Sequence, residues 1–296
     1  LALLRFLFGT PTTVMRIMNG VKLSGSFLFM FLVIREIVRQ EKEKYAVFPL
    51  YAAMIVGALF YTLSPAIIDN MRYALNSHDQ IFLNPLLSLL FLRYLITRNL
   101  RYLWVALVIT FVFSANFFMS VPPLWSFYPL MITFFLFYNG LVLRKPFPWK
   151  GLVFGFLFFL GLHAFHVFPA ITNVFDKGSQ YNIRVFEGLQ KVNKGLEYFN
   201  AILGLGKVSK NILLPLELLK FEWGLAIIPG LTIAGLLFLK KRRKTFYLIS
   251  VFFFVTLFLT SANVTHTGVA FYRKLYGIPG FGMFRNFIGQ WQWIHI

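Results

Sequence analysis

Ten carboxylates serve a chain of 296 residues, so each can be weighed for chemistry. Two of them, Asp69 and Asp79, belong to a dense polar stretch that also holds Asn70, Arg72, Asn76, Ser77 and His78. An Asp in such a setting can take a proton from an acceptor hydroxyl. Arg72 and His78 are the residue types that hold a phosphate. The same stretch also fits a plain exposed turn in which Ser64 and Asp79 cap the flanking helices. Asp69 and Asp79 are therefore candidate catalytic residues, and Arg72 and His78 candidate substrate ligands.

The other carboxylates suggest less. Glu36, Glu41 and Glu43 lie among Arg35, Arg39, Lys42 and Lys44 and read as a solvated helix end. No acidic residue falls in the middle of an apolar stretch. Proton- and ion-coupled transporters usually place ionisable groups there, which weighs against that class. His163 and His166 stand three apart and share one helix face, but a metal would need further ligands. Packed or interface histidines are the simpler reading, and no metal site is expected. There is no P-loop, G-x-G-x-x-G or nucleophile elbow, and Gly204-Leu205-Gly206-Lys207 is too short to cradle a phosphate.

Composition says what kind of body must position these groups. Hydrophobic residues make up 58% of the chain and charged residues 13%, far from the balance of a soluble domain. The fold class expected is all-α, a polytopic transmembrane helix bundle forming a single domain over 1–296. Apolar stretches near 22–38, 45–64, 80–97, 102–120, 124–143, 151–171, 223–239 and 245–262 give about eight spans. Thr10-Pro11 reads as a helix start, with Thr as N-cap and Pro in the first turn. The absence of cysteine excludes disulfides and thiolate metal sites.

The net charge of +19 would point to nucleic acid on a soluble protein. Here it follows topology. Arg35, Arg39, Lys42 and Lys44 follow the first span, and Arg93, Arg98 and Arg101 surround the end of the third. Arg144, Lys145 and Lys150 follow the fifth, and Lys240–Lys244 the seventh. These four short turns hold about half of the 29 basic residues. The intervening turns hold almost none, so the basic side is expected to be cytoplasmic. Nucleic acid is not an expected partner; membrane lipid is.

The long loops then face outward. Residues 172–222 form one, with an amphipathic helix around Phe186–Leu203 and a shorter one over Ile212–Phe221. Residues 263–289 form another. Trp104 and Trp149 fall near inner ends of spans, and Trp125, Trp223, Trp291 and Trp293 near outer ends, where indoles anchor helices. The chain opens on Leu1-Ala2-Leu3-Leu4 and closes on Trp293-Ile294-His295-Ile296. Both read as cuts within a longer protein.

The last outward loop reads Tyr276-Gly277-Ile278-Pro279-Gly280-Phe281-Gly282-Met283-Phe284-Arg285-Asn286. It resembles the P-G-F-x-x-F-R segment of bacterial and archaeal membrane glycosyltransferases of the GT-C superfamily, among them YfhO-like and arabinofuranosyltransferase-like proteins. Tyr61-Thr62-Leu63-Ser64-Pro65 is similar to their Y-x-x-S-P helix end. The resemblance implies transfer of a sugar from a polyprenyl-phosphate carrier to a cell-envelope glycan or lipid, on the extracytoplasmic face of the cytoplasmic membrane. It implies a catalytic Asp or Glu in a first outward loop, expected to precede Leu1. Arg285 is the residue carried over, as a ligand for the lipid-linked phosphate. No cofactor is implied besides that lipid-linked donor, and the metal requirement stays open. A lipid or polysaccharide flippase or transporter, and a non-catalytic subunit of envelope assembly, are the alternatives from other classes.

Overall fold

The computed structural model describes residues 10–40, 47–63, 80–113, 121–177, 243–260 and 266–276. Among these the secondary structure is entirely α-helical: α1 (Pro11–Arg39), α2 (Val47–Thr62), α3 (Gln80–Thr97), α4 (Arg101–Val112), α5 (Val121–Leu141), α6 (Trp149–Lys177), α7 (Arg243–Thr260) and α8 (His266–Tyr276). Two stretches, Thr13–Arg39 and Trp149–Pro169, are long and apolar enough to cross a membrane. Five shorter apolar helices accompany them. The expected span at 223–239 and the two amphipathic helices of the long loop lie outside the described residues.

The chain divides into two compact units, Leu1–Met119 and Ser120–Ile296. In the first unit, α1 starts where the sequence says it should. Thr10 is extended (φ −72°, ψ 148°) and its hydroxyl accepts from the Thr13 N–H at 3.3 Å, while Pro11 occupies the first turn. Cap and proline satisfy or remove donors that would otherwise be orphaned. The helix then runs 29 residues, so it begins eleven residues before the expected span. Arg16, Asn19 and Lys22 lower the hydropathy of that first part without breaking a helix.

Helix α1 packs on α2 and α3, and α3 also packs on α4. Helix α3 is the most enclosed of these, with Ile81, Leu83, Leu92 and Leu95 fully buried. Small residues let the backbones approach, as in helix pairs generally. A Cβ added at Gly57 would sit 3.0 Å from the Ile34 side chain. Polar bonds fix the register. Ser26 Oγ donates to Thr62 Oγ1 at 3.1 Å, joining α1 to α2. Tyr61 Oη donates to the Ile81 carbonyl at 3.0 Å, joining α2 to α3.

The second unit is held differently. Phe252 of α7 meets Phe134 (5.0 Å between centroids) and Phe137 (6.4 Å) of α5 edge-to-face. Between α5 and α6 the chain turns on Asn139, whose buried Nδ2 donates to the Lys145 and Pro146 carbonyls. Helix α6 does not stop where the long loop was expected to begin. It continues through 172–177, past Pro169, with the Thr172 hydroxyl donating back to the Phe168 and Pro169 carbonyls. Asp176 therefore belongs to a helix and not to a loop.

The stretch 263–289, expected as loop, contains α8. Its average hydropathy is low, so a search for apolar runs passes over it. Its residues are instead sorted by face: Gly268 is buried and Phe271, itself 40% exposed, meets Phe258 of α7 at 5.5 Å, while Arg273 and Lys274 are exposed in the last turn.

Candidate functional site

Asp69, Arg72, His78 and Asp79 lie outside the described residues, as does Arg285. What the structure describes is the frame around them. The stretch carrying Asp69 to Asp79 leaves α2 after Thr62 and returns at Gln80, the first residue of α3. Tyr61 and Ile81 stand just outside its two ends and are hydrogen-bonded to each other, both buried. One directional bond thus ties the end of α2 to the start of α3. Thr62 is in turn held to the middle of α1 through Ser26. Two tyrosine and threonine hydroxyls, adjacent in sequence, anchor the helix end that resembles Y-x-x-S-P.

Helix α8 does the same on one side of the Arg285 segment. The phenyl contact Phe258–Phe271 docks it on α7, and its last residue, Tyr276, is the first of the glycine-rich segment. Its final turn carries Arg273 and Lys274, where cations favour the negative end of the helix dipole.

At the basic end of the first unit the structure corrects the sequence reading. Glu36 is not a solvated helix end; it is 4% exposed. Arg93 of α3 donates through Nη2 to Glu36 Oε1 at 2.6 Å. Arg35 and Arg39 approach the same oxygen at 3.6 and 3.7 Å. Three guanidiniums converge on one carboxylate oxygen. The signal available in sequence was local, an acid with arginines at i−1 and i+3. The residue that buries it is 57 positions away and could not be paired with it from spacing.

Both histidines lie against phenyl rings. His163 is fully buried with its ring 4.5 Å from Phe159, and His166 lies 4.1 Å from Phe165. Among the described residues no three His, Cys, Asp or Glu side chains come together as a metal site would require. Trp104 and Trp149, read as interface anchors, are exposed at the starts of α4 and α6. Comparison with protein-family models, with curated proteins and with solved structures finds no match to this chain.

Proposed function

We propose that the chain is part of a multi-pass membrane glycosyltransferase that takes a sugar from a polyprenyl-phosphate carrier and passes it to an envelope glycan or lipid. The observation that carries this reading is the segment Pro279–Asn286, with Arg285 in the position expected of a phosphate ligand. Departure of the sugar leaves charge on the carrier phosphate. A guanidinium, planar and always charged, suits that group in bidentate fashion. Glycines at 277, 280 and 282 let the backbone approach a ligand closely. By the topology read from sequence, the polar stretch of Asp69, Arg72, His78 and Asp79 would lie on the same side of the membrane, opposite the basic turns.

Support for the membrane reading comes from two long apolar helices and from large apolar side chains left on the surface. Phe48 is 83% exposed and Phe168 and Phe254 are each 65% exposed, as lipid-facing residues are. The about eight spans, with basic turns in the cytoplasm and long loops outside, complete the proposal. Because the chain has no native cysteine, single-cysteine labelling tests it directly. Ser77→Cys and Met283→Cys should react with an impermeant maleimide from outside, and Asn99→Cys should not. The opposite pattern would overturn the orientation. For the chemistry, Arg285→Ala in the full-length protein should lower transfer from a polyprenyl-phosphate sugar about 100-fold, the scale of losing one preorganised charge contact. Unchanged transfer removes Arg285 from the site.

A further inference from the structure

We propose that the basic end of α1 and α3 binds the phosphate of an anionic phospholipid headgroup. The inference rests on the multi-pass reading above, but not on sugar transfer. It starts from charge at Glu36. Arg35, Arg39 and Arg93 all direct a guanidinium nitrogen to Oε1 of that single carboxylate. Among the described residues, three positive charges therefore meet one negative. They are not free in bulk water: the side chains of Arg35 and Arg93 are 35% and 30% exposed. Arg35 Nε is buried and makes no hydrogen bond among the described residues. Partly buried cations in excess call for an anion.

The surroundings say which anion. Arg98 and Arg101 follow Arg93 by five and eight residues, at the end of α3 and the start of α4. Trp104, 39% exposed and one turn into α4, is the kind of ring that settles at headgroup depth. Apolar helices below and a cluster of guanidiniums at their basic end match the basic pockets between membrane helices that take lipid phosphates. Glu36 has a place in this arrangement. It gathers the three arginines from two helices at one point.

The test is lipid binding by the purified full chain in neutral detergent, read by native mass spectrometry. Phosphatidylglycerol is compared with phosphatidylcholine of the same acyl chains, and inorganic phosphate is added as competitor. The expected result is preferential retention of phosphatidylglycerol. Arg35→Gln with Arg39→Gln, which keeps the Arg93–Glu36 bond, should weaken it about fivefold per arginine. Arg39→Gln alone, at a side chain 65% exposed, gives the single step in a variant whose fold is least at risk. Glu36→Gln, which removes the one anion, should tighten the lipid. Equal retention of the two lipids, or phosphatidylglycerol binding unchanged by Arg39→Gln, overturns the proposal. Displacement by inorganic phosphate at equal concentration assigns the site to a free anion and overturns the lipid. No sugar donor is present, so loss of the glycosyltransferase reading would leave this result standing.

Discussion

The two compact units solve the same problem with different chemistry. In the first, helices are joined by directional bonds between side chains far apart in sequence: Ser26 to Thr62, Tyr61 to the Ile81 carbonyl, Arg93 to Glu36. In the second, the hydroxyls described turn back on their own helix, as those of Thr97 and Thr110 also do in the first. Thr133 bonds the Pro129 carbonyl, and Thr256 bonds those of Phe252 and Phe253. What joins α5, α7 and α8 is phenyl rings. Lipid tails are as apolar as side chains, so burial in a bilayer does little to choose between helix partners. Polar bonds choose register, whereas rings mainly fill space. The lesson is that the first unit is built to hold a fixed position at both ends of α3, and one of those ends follows directly on the stretch that carries Asp69 and Asp79.

That contrast can be broken most sharply at the ion cluster. Arg93→Met should cost about 3 kcal/mol, because it strips the nearest cation from a buried carboxylate. Glu36→Gln added to it should restore much of the loss, since breaking an ion pair costs more than removing it. Denaturant unfolding in detergent measures both, and equal instability of single and double variants would deny the pair its role. In the second unit, Phe252→Ala should cost about 2 kcal/mol by removing two edge-to-face contacts, and Phe252→Leu far less. The finest test compares two threonines. Thr62→Val should cost about 0.6 kcal/mol, the average for an interhelical side-chain bond in a membrane. Thr133→Val should cost nearly nothing, because its exposed hydroxyl bonds only the Pro129 carbonyl of its own helix among the described residues. Equal losses would erase the distinction between the units.

Much of this frame was legible in the residues. Helix α3 covers the stretch 80–97 read from hydropathy, and the Thr10-Pro11 start of α1 followed from capping chemistry alone. Hydropathy failed where helix and span are different things. The expected first span began at residue 22, whereas the apolar stretch of α1 reaches back to Thr13, the end of α6 runs past its span, and α8 is helical by face and not by average. Glu36 shows a further limit. Its neighbours in sequence indicate solvent, and only a partner from another helix makes burial affordable. For the site, the frame is described at Tyr61, Ile81 and α8, while the candidates Asp69, Arg72, His78, Asp79 and Arg285 are known from sequence alone.

Two arginines carry one last consequence. Arg98 and Arg144 both hold a left-handed backbone, with φ of 61° and 53°, each just beyond a helix end. Glycine takes that conformation freely, and any other L-residue there costs roughly 1 kcal/mol. Both arginines stand in the turns whose positive charge is read as cytoplasmic. If so, the sites that point the chain across the bilayer are sites where the backbone would fold better without them. Insertion and folding then oppose each other at these two positions. In Arg144→Gly, at an exposed side chain, the melting temperature should rise while maleimide labelling becomes mixed, and a rise without mixed labelling would free the turn from any part in direction.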